Sequence, residues 1–499
     1  MTNHNKTKTQ KPFIKKFEED GVLYIFDVNT NQIIEVEQPI YDLIDFFTGA
    51  DTPPDDSPLN TTYSKQEITH YLDQIKQAHI QNGLFSDFRP SVVSLGLSEA
   101  NDVRKLHRDY GLNQLILELT RECNLNCGYC STSGKYYTRA EGTPVHMSWS
   151  QCKQAVDFFC KQAGNSRPPA ITFYGGEPLL RFDLIQQTVS YVREHYQEQN
   201  TQFNLTTNGT LLNEAKMAYF IENNISLRIS LDGPESVNDR YRVFKDGNGT
   251  YTTIMKSLAA IKEKNPTYFS SRISISGVLA PPFHQIDDIL DFYSSHETLK
   301  EIRKSIRSNP VSTGDTTFVE DYHMENEGDH FPEVVKKLTA RLKSAILKKD
   351  LSGLTIEKMQ TFSSLQNLAR NPIQKVHDFS VPIGACHIGL RRVFVRVSGD
   401  FYICERSGNN YLIGNLETGF DYDRIAAFYV KFAAALEDCK ECWALNYCER
   451  CWIMVGDLDK FKGAEKEKFC TMSKTILENA FKLYVQLLKE NPACMEVFR

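Results

Sequence analysis

The stretch "LTRECNLNCGYCSTS" (residues 119–133) places Cys123, Cys127 and Cys130 within eight residues. It continues the apolar run "QLILELT" (114–120), which predicts a β-strand that leads into the cysteines. Thiols this close together can form a disulfide, a zinc site, a reactive pair or an iron–sulfur cluster. The rest of the chain must distinguish among these four possibilities.

Composition excludes several classes of protein. The chain has 499 residues, which predicts two to four domains, and its 41% hydrophobic and 24% charged residues are typical of a globular protein. A net charge of −6 predicts neither a nucleic-acid nor a membrane partner. The polar start "MTNHNKTKTQKPF" lacks the apolar core of a signal peptide, and no apolar run is long enough to span a membrane. We therefore expect a cytoplasmic protein.

The thirteen cysteines fall into an informative pattern. Their odd number, in a chain without a secretion signal, argues against a disulfide framework. Ten of them lie in two groups, the triplet and a set of seven between Cys386 and Cys470. In a reducing cytoplasm such groups are more often metal ligands, whereas Cys152 and Cys160 fall on a predicted helix and are expected to be ordinary buried thiols.

From residue 114 onward, predicted strands alternate with helical segments. The strand candidates are "QLILELT", "AITFYGG", "QFNLTTNG", "LRISLDG", "RISISGVL" and, more weakly, "EIRKSIR". This alternation predicts a parallel sheet curled into a full or partial barrel. Functional residues of barrels lie at the C-terminal ends of strands, and the cysteine triplet, GGEP, TTNG and SLDG all follow strands here.

The triplet offers three thiolates, one fewer than the four ligands of a closed zinc site, and iron–sulfur clusters are held by thiolates in such runs. "CNLNCGYC" resembles the signature of the radical S-adenosylmethionine (SAM) superfamily. The resemblance implies that Cys123, Cys127 and Cys130 bind a [4Fe–4S] cluster whose fourth iron is chelated by SAM. Zinc or an unrelated cluster is the alternative.

Three further strand ends strengthen this resemblance: "YGGEP" (174–178), "TTNG" (206–209) and "SLDGPESVNDRYR" (230–242). In the family the backbone and the glutamate of GGEP receive the SAM amino group, and we expect the glycines to allow a close approach of the ligand. Each glycine could instead be a simple turn and each charge a solvated loop residue. The resemblance implies these SAM-binding residues: Tyr129, Gly175, Gly176, Glu177, Pro178, Thr207, Asn208, Ser230, Asp232 and Arg242.

The seven later cysteines resemble the SPASM extension of radical SAM peptide-modifying enzymes, which carries two auxiliary [4Fe–4S] clusters. The family usually has three residues between its fifth and sixth cysteines, but this chain has two, Glu449 and Arg450. A zinc ribbon is the alternative for "CKECW" and "CERC". The resemblance implies cluster I on Cys386, Cys404 and Cys451, and cluster II on Cys439, Cys442, Cys448 and Cys470.

Cluster I would then have one iron without a cysteine ligand. His387, the distant Cys494, water or a substrate thiolate could fill this position. An iron that binds a substrate cysteine would suit sulfur–carbon bond formation, because a metal deprotonates and positions the thiol. Glu405 follows Cys404 where related sulfatase maturases carry a proposed base, so it is a candidate catalytic base. The alternative for Glu405 is a salt-bridged carboxylate.

Residues 12–36 predict three short strands, and two helical segments follow them. This unit resembles the PqqD-like recognition element of peptide-maturing enzymes. The resemblance implies that it binds the leader of a precursor peptide as an added strand, with backbone hydrogen bonds supplying affinity. The alternative is a packing unit without a ligand.

We therefore expect an α/β protein with a partial (β/α)6 radical SAM barrel, an N-terminal winged-helix-like α+β recognition domain and a C-terminal loop-rich iron–sulfur SPASM domain. The expected boundaries are 1–92 for recognition, 93–112 for a linker, 113–310 for the barrel, 311–383 for a helical connector, 384–471 for the SPASM domain and 472–499 for a terminal helix.

The expected function is radical modification of a ribosomally made precursor peptide. The product would be a thioether between a cysteine sulfur and a carbon, formed after hydrogen abstraction by a 5′-deoxyadenosyl radical. The alternatives are a carbon–carbon or carbon–oxygen crosslink, another radical modification such as formylglycine formation, or a non-catalytic iron–sulfur peptide-binding protein. The resemblance implies three [4Fe–4S] clusters, SAM, the precursor peptide and a flavodoxin- or ferredoxin-type electron donor.

Overall fold

The computed structural model describes residues 11–47, 57–130, 145–164, 168–311, 318, 331–358, 361–370, 376–454 and 464–498. The strands of these residues are β1 Ile14–Glu19, β2 Val22–Asp27, β3 Gln32–Val36, β4 Val92–Val93, β5 Gln114–Thr120, β6 Ala170–Gly175, β7 Gln202–Thr207, β8 Ser226–Ser230, β9 Ile273–Leu279, β10 Ile306–Pro310, β11 Phe379–Ser380, β12 Val393–Val395, β13 Asp400–Tyr402, β14 Leu412–Asn415 and β15 Gly419–Phe420.

The α-helices lie between these strands and after them. They are α1 Gln38–Leu43, α2 Leu59–Thr62, α3 Lys65–Asn82, α4 Ala100–Tyr110, α5 Trp149–Gln162, α6 Phe182–His195, α7 Glu214–Glu222, α8 Glu235–Tyr241, α9 Tyr251–Lys264, α10 Pro266–Arg272, α11 Ile286–Ser295, α12 Phe331–Leu347, α13 Phe362–Arg370, α14 Tyr422–Ala435 and α15 Ala464–Glu490. In the part of the chain that the structure describes, no helix combines the length and the apolar character needed to cross a membrane.

A ten-stranded sheet forms the centre of the molecule, in the order β10-β9-β8-β7-β6-β5-β12-β13-β14-β15. Strands β5 to β10 are parallel, which confirms the predicted α/β fold with a mostly parallel sheet. Along β8, Leu227 and Ile229 are buried in the main apolar core while Arg228 is exposed, whereas β5 is buried on both faces from Leu115 to Thr120. The weakest strand candidate, "EIRKSIR", overlaps the observed strand only at its end, because β10 begins at Ile306.

The C-terminal region contributes four strands to this same sheet, which the sequence did not predict. Strand β12 pairs in parallel with β5, with Val393 opposite Leu115 and Val395 opposite Leu117. These four strands have two to four residues each, too few for a recognisable alternation. The closing helix α15 begins at Ala464, earlier than predicted, so Cys470 lies on a helix.

The N-terminal unit is an antiparallel sheet in the order β1-β2-β3 packed against α1 and α3, as its sequence predicts. Its inner strand β2 contacts the C-terminal half: the rings of Phe26 and Phe481 lie 4.5 Å apart, and Asn446 donates to the Val28 carbonyl at 3.0 Å. The edge strand β1 contacts α15 through an ion pair of Lys15 with Glu478 (2.9 Å). Strand β3 pairs with β2 alone among the strands described.

Candidate active site

The first cysteine loop (residues 121–130) leaves the C-terminal end of β5 and is fixed by its backbone. Asn126 N–H donates to the Val243 carbonyl (2.8 Å), and Gly128 N–H donates to the Tyr241 carbonyl (2.9 Å). The Cys123 sulfur accepts from the N–H of Leu125 (3.4 Å) and from Asn208 Nδ2 (3.7 Å). The loop is therefore tied both to the segment after α8 and to the end of β7.

The three thiols of this loop lie close enough to influence one another electrostatically. The pKa of Cys127 is raised to about 12, mainly by burial; the charge of Arg242 opposes this rise, and the neighbouring Cys130 and Cys123 contribute to it. Such a thiol does not ionise by itself near neutral pH, but a bound metal deprotonates it outright. The loop therefore suits a metal cluster better than a reactive thiolate.

Glu177 of the GGEP motif is fully buried, and burial raises its pKa. Its carboxylate accepts three hydrogen bonds, from Leu179 N–H (2.9 Å), Thr207 Oγ1 (2.7 Å) and Asn208 N–H (2.8 Å). An ionised carboxylate offers about four acceptor positions, so at most about one remains for a ligand. The main task of Glu177 in this structure is to join the ends of β6 and β7.

Gly175 and Gly176 allow a close approach, but of the protein backbone. A Cβ at Gly176 would lie 2.2 Å from the Glu122 carbonyl oxygen, and one at Gly175 would lie 2.2 Å from that of Thr120. Gly175 also has a φ of +142°, which other residues rarely adopt. These glycines therefore seat the GGEP turn on the first cysteine loop, and their approach to a ligand stays a prediction.

Asp232, Tyr129 and Arg242 form a buried network beside Cys127. The Tyr129 hydroxyl donates to Asp232 and accepts from Arg242 Nη1 (3.0 Å), while Asp232 also accepts from Val278 N–H (2.8 Å). Burial opposes the charge on Arg242, but Tyr129, Cys127 and Asp232 together hold its pKa well above the usual range. The network therefore keeps a fixed positive charge next to the predicted cluster.

This network fits a carboxylate ligand in one specific respect. The Nε of Arg242 is buried and has no hydrogen-bond partner in the described residues, an arrangement rarely left unsatisfied in native proteins. Ser230 ends β8, and its half-buried side chain makes no hydrogen bond that the described residues show. Both residues could hold the polar end of an amino-acid-like ligand such as SAM.

Residues 117–294 match the family model of the Radical SAM superfamily. These residues form a radical SAM domain. Such a domain implies SAM and one [4Fe–4S] cluster as cofactors, and it spans the first cysteine loop, GGEP, Ser230 and Arg242.

Individual relatives agree with this domain. The chain is 29% identical over 161 residues to the Cysteine-type anaerobic sulfatase-maturating enzyme of Clostridium novyi, covering 32% of this chain and 42% of that protein. It is 22% identical over 324 residues to the Radical SAM cyclopropyl synthase TigE of Paramaledivibacter caminithermalis, covering 63% of this chain and 64% of that protein. The matches thus span less than two thirds of these curated relatives.

The solved structure of native anSMEcpe with bound AdoMet has a similar fold. It superposes with a TM-score of 0.55 at 17% identity and covers 75% of this chain and 99% of that chain. This coverage exceeds the radical SAM domain, so the likeness of fold continues beyond residues 117–294.

Outside the radical SAM domain, four further thiols influence one another. Cys448 is affected by the charges of Cys442 and Cys470, and Cys439 by that of Cys442. Burial raises the pKa of Cys439 to about 11, and positive charges of Arg450 and Lys466 oppose this rise. These four cysteines are the predicted ligands of cluster II, and they come from three parts of the chain: the turn after α14, the following loop and α15.

The predicted ligands of cluster I also lie near one another, since Cys451 influences Cys404 and Cys386 influences Cys451. Arg391 donates from Nη1 to the Cys386 sulfur at 3.2 Å, a contact that the sequence did not predict. Cys494 is fully buried in a separate apolar cluster with Leu342 and Leu487, which does not suit it as a fourth ligand. His387 Nδ1 is buried without a partner among the described residues.

Glu405 is held in an ion pair. Arg392 Nη1 donates to both carboxylate oxygens, at 2.9 and 3.0 Å, and both side chains are largely buried. This is the salt-bridged arrangement that the sequence analysis kept as the alternative to a catalytic base.

Within the described ranges, no three or more His, Cys, Asp and Glu side chains converge as ligands of one metal ion. A closed zinc site needs four ligands around one ion at about 2.0–2.3 Å.

Proposed function

We propose that this chain is a radical SAM maturase that forms a thioether crosslink in a ribosomally made precursor peptide. The observation that carries the peptide part is the arrangement of the N-terminal sheet. Strand β1 contacts α15 and β2 packs on the C-terminal cysteine region, whereas β3 pairs only with β2 among the described strands. Main-chain groups along β3 are thus positioned to accept an added strand.

In this proposal the N-terminal unit is a PqqD-like recognition element. A disordered leader would gain backbone hydrogen bonds along β3 and place alternate side chains toward α1 and α3. The contact of Asn446 with the Val28 carbonyl supports this role, because it links the recognition sheet directly to the loop between Cys442 and Cys448. A leader bound at β3 would therefore be held at a fixed position relative to the clusters.

The site residues divide into three proposed groups. Cys123, Cys127 and Cys130 would hold the first cluster, and Arg242 and Ser230 would hold the polar end of SAM. These residues would thereby hold SAM against the cluster, a pair that would supply a 5′-deoxyadenosyl radical for hydrogen abstraction from the substrate. Glu177 and Asp232 act on the scaffold, because their buried carboxylates fix the strand ends that carry these ligands.

The seven later cysteines would hold two auxiliary [4Fe–4S] clusters, with one iron of cluster I open to a substrate thiolate. Arg391 would support cluster I through its contact with the Cys386 sulfur. A flavodoxin- or ferredoxin-type protein would supply electrons. The open iron is the reason that the proposed product is a thioether.

A second function has specific support from the relatives. One is a cyclopropyl synthase and another a sulfatase-maturating enzyme, and neither activity is thioether formation. A carbon–carbon bond, or another radical modification of a peptide, is therefore the second candidate.

Anaerobic reconstitution with iron, sulfide, SAM, a reductant and a leader-bearing peptide with one cysteine would separate these functions. Loss of two hydrogens together with one alkylatable thiol supports the thioether. Loss of two hydrogens with the thiol still free supports the second candidate. Intact clusters without 5′-deoxyadenosine or any change in mass would overturn the enzyme proposal.

A further inference from the structure

Arg450 is a buried cation without an anionic partner in the described part of the chain. Its side chain is only 3% exposed, and both Nη1 and Nη2 are buried without a hydrogen-bond acceptor there. An arginine carries five N–H donors and is always charged, so such burial is costly unless a negative group is nearby. The described protein side chains around it do not supply that group.

The backbone holds Arg450 firmly in this place. Its N–H donates to the Ile383 carbonyl at 2.8 Å. A Cβ on Gly384 would lie 3.1 Å from the Arg450 nitrogen and 2.9 Å from the Glu449 carbonyl carbon, so the two segments are in close contact. The backbone of Arg450 is therefore fixed against Ile383 and Gly384, and its side chain lies in the interior.

The charge of Arg450 acts on two of the predicted cluster II thiols, Cys439 and Cys448. Burial raises the pKa of Cys439 and Cys448, and the charge of Arg450 is the strongest of the influences that lower it at both. Lys466, the other cation acting on Cys439, already has partners, because its ammonium donates to the Ala435 carbonyl (2.6 Å) and to Asp438. Of these two cations, Arg450 is thus the one whose hydrogen-bonding capacity remains unused.

A [4Fe–4S] cluster on four thiolates would provide the missing acceptor. The oxidised assembly is an anion, and one-electron reduction adds a further negative charge to it. Hydrogen bonds to the sulfurs and nearby charge are among the factors that set the reduction potential of such clusters. A buried, fixed guanidinium favours the more negative, reduced state.

We propose that Arg450 donates hydrogen bonds to the sulfurs of cluster II and raises its reduction potential. This inference rests on the proposed function, which places a cluster on Cys439, Cys442, Cys448 and Cys470. Arg450 is also one of the two residues between Cys448 and Cys451, which the proposal assigns to clusters II and I. The arginine tunes the cluster and does not touch the substrate.

The test is an EPR-monitored redox titration of the anaerobically reconstituted holoenzyme. The signal of cluster II is identified as the one that C442A removes. In R450M we expect about a tenfold fall in the ratio of reduced to oxidised cluster at a fixed potential, which is about 59 mV for one electron. R450K keeps the positive charge but loses the paired N–H donors of the guanidinium, so we expect a smaller fall in this ratio.

The matched control is K440M, which removes one positive charge from the same segment. Lys440 already pairs with Glu437 at 2.5 Å, so we expect the potential of cluster II in this variant to stay near wild type. An unchanged potential in R450M with cluster II present overturns the inference. An equal shift in K440M also overturns it, because the effect would then be one of general charge.

Iron and sulfide analysis separates this inference from the proposed function. If the wild type binds iron only at the first loop, the proposed cofactor set fails before Arg450 is tested. If R450M fails to assemble cluster II, a second measurement on the wild-type protein tests the inference. In wild-type protein with ¹⁵N-labelled arginine guanidinium groups, the EPR signal of reduced cluster II should show a ¹⁵N coupling that R450K removes. Absence of this coupling in the wild type overturns the inference.

Discussion

The two cysteine regions of this chain differ in how many of their buried polar atoms find hydrogen-bond partners within the protein. Around the first cysteine loop, the buried carboxylates of Glu177 and Asp232 accept three and two hydrogen bonds from the chain, and Arg242 Nε is buried without a partner among the described residues. In the C-terminal cysteine region (residues 386–454 with Cys470), Arg450 Nη1 and Nη2, Arg392 Nε and His387 Nδ1 are buried without partners among the described residues. Because native proteins satisfy nearly all buried polar groups, the second region depends more on bound ligands than the first region does.

This difference follows from the architecture. The first loop sits on the ends of long parallel strands, whose backbone hydrogen bonds form without any cofactor. The C-terminal region consists of short strands and turns, so its stability depends more on what its cysteines bind. The conformation of the barrel site is therefore determined by the strands of the fold, whereas the conformation of the second region depends on its bound clusters.

The largest expected effect comes from Cys127→Ala in the first loop. Formation of 5′-deoxyadenosine should fall to background, because the first cluster loses a ligand that cannot be replaced. The barrel should stay folded, since its strands do not depend on this thiol. Iron content should fall by about four atoms per chain. Iron analysis and the far-ultraviolet circular dichroism spectrum measure these two outcomes.

Cys152→Ala is the matched control for this substitution. Cys152 is a fully buried thiol on α5 that bonds Thr188 and belongs to neither cysteine region. It should keep full iron content and SAM cleavage. SAM cleavage that persists in Cys127→Ala would contradict the assignment of Cys127 as a ligand of the SAM-binding cluster.

Removal of iron should affect the two regions unequally. With a chelator, we expect cleavage by a protease within residues 386–454 to accelerate by about tenfold or more, because unpaired buried charges then destabilise that region. Peptides from residues 168–311 should stay protected. Mass spectrometry of the early fragments measures both effects, and equal acceleration in the barrel would contradict this account.

The sequence predicted the barrel well because its signals are local. Strands β5 to β9 coincide with apolar runs, and the chemical motifs follow them directly. The strand order and the roles of Gly175 and Gly176 depend on which backbones meet, which a linear sequence does not show. The contact of Gly176 with Glu122 is an example, because it links segments more than fifty residues apart.

The C-terminal region was less predictable for a physical reason. Strand β12 has three residues, and it becomes a strand because β5 offers it an edge. The sequence did not predict the contacts of Arg391 and Arg450, and their spacing from cysteines is the signal that it offers. Their contacts arise from tertiary packing around thiols, and no periodic pattern encodes that.

Glu177→Gln should produce an intermediate effect at the barrel site. An amide cannot accept from all three donors, so one buried N–H or hydroxyl loses its partner and the free energy of unfolding should fall by about 1–3 kcal/mol. SAM should also bind more weakly, as measured by calorimetry, because β6 and β7 lose a connection. Glu122→Gln is the control, since that side chain is 57% exposed and should change neither quantity.

The smallest expected effect concerns Glu405, and it also tests the comparison of the two regions. If the Arg392 pair is structural, Glu405→Gln should lower the free energy of unfolding by about 1 kcal/mol and leave product formation within about twofold, because the amide still accepts one hydrogen bond. If Glu405 is a base instead, product formation should fall by about a hundredfold or more with stability nearly unchanged.

Arg392→Met separates the two cases further. A structural pair predicts a comparable loss of stability in both variants, and a double-mutant cycle should then yield a coupling energy near the single losses. A catalytic Glu405 predicts that Arg392→Met retains turnover, since the carboxylate remains. We expect the structural outcome, because both carboxylate oxygens already accept from one guanidinium in a region where Arg450 still lacks acceptors among the described residues.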